Sequence, residues 1–236
     1  MSAALTTTTS LLKHGIGVAV TAGTVAGIAA ALMLTSLSGA AATGTGLSDS
    51  RLSDPRLDPR HVIAQSEAAL GTLLGEHQLT DSHGRRFSLA DYRGKPLVIS
   101  LIYTSCSTVC PITTQHLLDA VTEARRSLGA DRFAVLTIGF DARNDTPPRM
   151  ASFANRQGIP AQNWRAASGD AATLTALLRE LGFSYLAAAG GFEHITQTSI
   201  IDAEGRVYRH VYGDDFPLPV FIEPLKETVF GITTRA

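Results

Sequence analysis

From about residue 79 onward, short apolar runs alternate with longer amphipathic stretches. Leu97–Tyr103 (LVISLIY) and Arg132–Phe140 (RFAVLTIGF) are rich in β-branched and large aliphatic residues, the mark of buried strands. Between them Leu117, Leu118, Val121, Ala124 and Leu128 recur at helical spacing, predicting a helix whose first turn holds Pro111. Asp145 or Thr146 is a ready N-cap for a second helix, with Pro147 and Pro148 in its first turn and Gly158 at its end. Trp164–Ala167 reads as a short strand. Asp170 caps a helix carrying Leu174, Leu177, Leu178 and Leu181, closed by Gly182. Leu79–Leu89 predicts a β-hairpin turning at Asp81–Gly84, and Thr198–Ile201 with Arg206–Tyr212 predicts another. Phe221–Ile232 reads as a final helix. His61–Leu74 suits a short helix or an extended lead-in, and Tyr185–His194, glycine-containing and without a period, reads as a mobile loop.

Strand–helix alternation implies parallel strands in the middle, and the late hairpin adds antiparallel ones. With paired cysteines after an early strand, the expected fold class is α/β and thioredoxin-like, a central mixed sheet flanked by helices, over residues 61–236. Ahead of it, Gly15–Leu37 carries no charged side chain and is long enough to cross a bilayer. Residues 15–37 are therefore expected to be a transmembrane anchor, with a cleaved signal at Ala40–Ala42 as the alternative. Residues 1–14 would form a cytoplasmic N-terminus. Residues 38–60, rich in Gly, Ser, Asp and Pro, would be a flexible linker. Either reading places the domain outside a bacterial inner membrane, facing the periplasm.

Net charge is −1 and no basic run occurs, so nothing points to nucleic acid as a partner. The chain has 2 cysteines, Cys106 and Cys110, which excludes a disulfide scaffold and leaves a redox pair, a metal site or an incidental pair. Both sit on a strand-to-helix turn, where the free N–H groups of a helix start favour thiolate. Residues four apart there can form a disulfide, or as thiolates bind a soft ion, most naturally Cu(I), with an imidazole as the usual supplement. Of the 7 histidines, His14 and His61 read as solvated, and His77 and His83 lie far from the cysteines in topology. His116, about 600° round the helix from Cys110, faces away. His210 reads as a surface strand residue. His194 stands in the glycine-containing loop before a strand; a solvated residue and a third ligand both remain open for it.

Tyr103-Thr-Ser-Cys106-Ser-Thr-Val-Cys110-Pro111 resembles the Y-T-x-C-P-x-x-C-P motif of the Sco/SenC family, copper-binding assembly factors for cytochrome c oxidase. The similarity covers about residues 75–232: Leu79–Gly94 matches the family's lead-in, Asp141, Asp145 and Thr146 its acidic segment, and His194 its ligand histidine. Three positions depart from the pattern: Ser107 replaces the first motif proline, Glu193 replaces the usual Asp, and Arg143-Asn144 are shifted by one. The resemblance implies that Cys106, Cys110 and His194 ligate copper, Cu(I) or Cu(II). It implies a metallochaperone rather than an enzyme, delivering copper to the dinuclear site of cytochrome c oxidase subunit II or a similar acceptor after loading by copper donor proteins. The alternative is a thiol–disulfide oxidoreductase that keeps target cysteines reduced. A thiol peroxidase lacks its P-x-x-x-T-x-x-C arrangement, and zinc suits a two-thiolate, three-ligand site outside the cytoplasm less well than copper.

Overall fold

The computed structural model describes residues 58–232; the expected N-terminal segment 1–14, the anchor or signal 15–37 and most of the linker 38–60 lie outside the described residues. Among the described residues no helix is long and apolar enough to cross a membrane. The order is α1 (Pro59–Glu67), β1 (Gln78–Asp81), β2 (Arg86–Ser88), β3 (Leu97–Ile102), α2 (Val109–Leu128), β4 (Ala134–Gly139), α3 (Pro147–Gln157), β5 (Trp164–Ser168), α4 (Ala171–Glu180), β6 (Tyr185–Ala188), β7 (Gly191–His194), β8 (Gln197–Ile201), β9 (Val207–Tyr212) and α5 (Leu218–Phe230), with a 3-10 turn at Leu89–Tyr92. Seven strands form one sheet, β2-β1-β5-β4-β3-β8-β9. β3, β4 and β5 run parallel, while β8, β9, β1 and β2 extend the sheet by antiparallel pairing. This is the expected mixed sheet flanked by helices.

Every residue of β3 and β4 is buried, because both faces of these strands are covered, as parallel strands require. Val98, Val135 and Ile200 pack with Leu117, Val121 and Ala124 of α2 and Phe221 and Leu225 of α5. On the other face Ile99, Leu136 and Ile138 pack with Met150 and Phe153 of α3 and Leu174 and Leu177 of α4. The helix signals act as expected: Asp170 accepts from the Thr173 N–H at 2.8 Å, and Gly158 closes α3 in the left-handed region at φ +68°. Asp145 does not cap α3; Thr146 holds that position, with no side-chain bond.

Two expectations are corrected. Tyr185–His194 is not a loop but a two-stranded hairpin, with Tyr185 opposite His194 and Ala187 opposite Phe192. Gly190, at φ +90°, makes its turn, and cross-strand aromatic pairing holds it. His210 is not a surface residue: it is 4% exposed. Its Nδ1 faces Gln197 and Ser199 at 3.1 and 3.0 Å. The cover is α1, fastened over β9 by the Tyr212 hydroxyl, which meets Ser66 at 2.5 Å and Glu67 at 2.6 Å.

Candidate functional site

The chain leaves the carboxyl end of β3 at Tyr103 and re-enters regular structure at Val109, so Cys106 lies in the connecting turn and Cys110 in the first turn of α2. Both are free thiols; Cys106 is half-buried and Cys110 buried. The Cys106 N–H donates to Tyr103 O at 3.0 Å, and the Cys110 N–H donates to Cys106 Sγ at 3.3 Å. The helix start thus supplies N–H groups to the first sulfur.

The two thiols are unequal. Burial works against the Cys106 thiolate, yet the N–H groups of Cys110 and Thr108 and hydrogen bonds from the Cys110 thiol and Tyr103 hydroxyl outweigh it and hold the group below its ordinary value. Burial pushes Cys110 up to about 12, and the neighbouring Cys106 and Asp145 add to the shift. The bias to thiolate, the nucleophilic form, therefore falls on Cys106 and not on Cys110.

Asp145 pins the turn from beneath. It is 3% exposed; its Oδ1 accepts from the Thr104 N–H at 2.8 Å and the Thr104 hydroxyl at 2.7 Å, and its Oδ2 from the Asp141 N–H at 2.9 Å. Burial raises its pKa despite those donors. The approach needs a glycine at the end of β4: a Cβ on Gly139 would stand 2.5 Å from Asp145 Cβ and 2.7 Å from Met150 Sδ.

His194 ends β7 and lies among aromatic rings, its centroid 5.4 Å from Phe140, 5.4 Å from Phe183 and 6.2 Å from Tyr103. Burial lowers its pKa, which favours the neutral ring. Its Nδ1 is 3.2 Å from Ile195 O. A carbonyl only accepts, so Nδ1 carries the proton and Nε2 keeps a lone pair, the state in which a histidine binds metal. Among the described residues no group of three or more His, Cys, Asp or Glu side chains stands in position to hold an ion. The structure brings the two sulfurs together, and leaves His194 on the neighbouring hairpin.

Tyr103 touches both parts, a role that the motif alone does not reveal. Burial and the neighbouring Cys106 sulfur raise the pKa of its hydroxyl, and its ring is edge-on to Phe192 at 5.1 Å and to His194. Gly191 sits so close that a Cβ there would meet the Tyr103 hydroxyl at 2.6 Å. The other described histidines are engaged elsewhere or exposed: His77 bonds Glu180 at 2.7 Å, His116 bonds Phe216 O at 2.8 Å, His210 faces Gln197 and Ser199, and His61 and His83 are exposed.

The SCO1/SenC family model matches residues 65–229. The chain belongs to that family. Within SCO1/SenC, a SCO1 protein homologue of Bacillus subtilis (strain 168) is 31% identical over 88 residues, covering 36% of this chain and 44% of that protein. The chain spans less than half the length of each curated relative it matches, 44% to 47%. Among solved structures, Bradyrhizobium japonicum ScoI with copper bound aligns at TM-score 0.54 and 23% identity, over 66% of this chain and 99% of its own. BsSco, a Sco-family cytochrome c oxidase assembly protein with a disulfide switch, aligns at TM-score 0.61 and 19% identity, covering 68% and 95%. Below 25% identity these two speak for the fold alone.

Proposed function

We propose that this SCO1/SenC protein carries copper as cargo on Cys106, Cys110 and His194 and hands it to a thiolate-containing acceptor, the dinuclear copper site of cytochrome c oxidase subunit II. The observation that carries the reading is the state of the donors. Two free sulfurs lie within one turn, one of them biased to thiolate, and the nearby imidazole has Nδ1 engaged and Nε2 free. Two thiolates suit Cu(I), and an added imidazole suits Cu(II). Capture of all three donors requires the β6–β7 hairpin to bring His194 toward the sulfurs, past the Tyr103 contact. Release would proceed by ligand exchange, acceptor thiolates replacing Cys106 and Cys110 in turn. Residues 15–37 would tether the domain to the inner membrane through the 38–60 linker, with the domain in the periplasm.

The test is metal analysis with absorption spectra of the protein reduced and then loaded with Cu(I) or Cu(II). The His194→Ala variant is expected to keep Cu(I) and lose most of its Cu(II) affinity. Equal retention of both ions would remove His194 from the site, and a protein that stays metal-free would end the reading.

A second reading is favoured by the inequality of the thiols. Cys106 as thiolate would attack a target disulfide and form a mixed disulfide; Cys110 would then displace the target thiol, leaving Cys106–Cys110 oxidised and the target reduced. Each cycle would need a dithiol reductant to restore the pair. Full oxidase assembly with His194→Ala, together with copper-free protein, would favour this reading.

A further inference from the structure

A cavity of about 650 Å³ opens at the end of the sheet remote from the cysteines. Lys95 precedes β3, while Ala134 and Trp164 begin β4 and β5, so the cavity lies at the amino ends of the parallel strands. Cys106 follows their carboxyl ends, and the 6 residues of β3 put the two regions about 20 Å apart. A volume of this size suits a small organic molecule.

The wall is chemically mixed. The lining includes the apolar Ala154 and Ile159 and the cations Arg85, Arg93, Lys95 and Arg165. Of the two carboxylates of the lining, Asp81 is paired with Arg85, accepting from its Nε at 2.9 Å, while Asp91 accepts the Ser88 N–H at 3.0 Å and keeps its charge. None of the ion pairs among the described residues includes Arg93, Lys95 or Arg165. Arg93 is held rigid, its guanidinium donating to the carbonyls of Leu74 and Glu204 at 2.6 Å each. Arg165 lies over the Phe87 ring at 4.3 Å and near Tyr92 at 5.7 Å, a contact that fixes a guanidinium but leaves its charge uncompensated. Among the described residues, three unpaired cations line the cavity against one unpaired carboxylate, Asp91, in a chain whose net charge is −1. Like charges so placed repel one another until an anion joins them.

We propose that this cavity binds a small organic polyanion, its carboxylate or phosphate groups met by Lys95, Arg93 and Arg165 and its carbon skeleton by the Ala154–Ile159 wall. The site is separate from the thiols and does not depend on the copper reading.

Calorimetric titration of the full-length, copper-free protein with citrate, and separately with pyrophosphate, tests it. Saturable one-site binding is expected that weakens as salt rises. Lys95→Gln should weaken it about tenfold or more, the loss of one charge-assisted contact, and Arg165→Lys, which keeps the charge, should weaken it less. Cys106→Ser should leave it unchanged, and so should Arg126→Gln on the exposed surface of α2. Alkylation of Cys106 at the wild-type rate in Lys95→Gln shows that the variant is folded. Absence of saturation with both probes to about 10 mM, in the millimolar range where binding is already weak, would overturn the proposal. Equal weakening by Arg126→Gln and Lys95→Gln would do the same, by reducing the effect to general charge.

Discussion

Removing the Asp145 carboxylate should loosen the cysteine turn and destabilise the whole domain. Asp145→Ala leaves the Thr104 N–H, the Thr104 hydroxyl and the Asp141 N–H without the oxygens they now reach at 2.7–2.9 Å. At about 1 kcal/mol net for each hydrogen bond, the loss comes to about 3 kcal/mol. A domain of this size loses about 2–4 °C per kcal/mol, so the melting midpoint should fall by about 6–12 °C. The effect also depends on pH. Burial raises the folded Asp145 pKa above the ordinary 3.8, so between those two values the folded protein binds a proton that the unfolded chain does not. Stability from this group is therefore present at low pH and lost as pH rises through the raised value. Asp145→Ala should lack that component, and its deficit should be largest in acid. Urea denaturation of wild type and variant, repeated from acid to neutral pH, measures both quantities. Thr104→Val, which loses only the hydroxyl contact, should cost about 1 kcal/mol, and the double variant should cost less than the sum. A deficit below about 1 kcal/mol for Asp145→Ala, the size of a single ordinary hydrogen bond, would refute the view that this carboxylate holds the turn.

Two further outcomes are expected. Iodoacetamide near neutral pH should modify Cys106 and spare Cys110, and the Cys106 rate should inflect below the ordinary thiol value of 9.0 while Cys110 stays protonated to about 12; comparable rates by peptide mapping would contradict the assigned inequality. His210 is depressed from 6.5 to about 4 by burial, so the unfolded chain takes up a proton first. Stability should fall by up to about 3 kcal/mol as pH drops through that window. His210→Gln, which keeps an acceptor for Gln197 and Ser199, should flatten that slope, and parallel slopes for the two proteins would rule the histidine out as its source.

The sheet and its helices are legible in the sequence because their signals are local: apolar runs for β3 and β4, a leucine stripe for α4, proline and glycine at the ends of α3. The cysteine turn is legible for the same reason. What escapes is set by partners distant in the chain. β6 and β7 read as a loop because Leu-Ala-Ala-Ala-Gly-Gly has no alternation of its own. The ladder rests on pairs such as Tyr185 with His194, whose aromatic face exists only once Phe140 and Phe183 are beside it. His210 reads as exposed because α1, a weak helix by its own pattern, is what covers β9. Asp145 looks like a helix cap because nothing local reveals Thr104, 41 residues back.

The antiparallel pairing of β3 with β8, Ser100 opposite Thr198, has a consequence for how this molecule tolerates change. One strand ends where the other begins, so sulfur and imidazole arrive at the same rim although 83 residues of chain separate Cys110 from His194. Insertions in the surface turns around α3 and α4 would lengthen that detour without moving either terminus of the pairing. The short tether Ile195-Thr196 has no such freedom: deleting one residue there would turn the histidine to the opposite side of its strand. Variation in length should therefore accumulate in the long excursion and be excluded from the two-residue link.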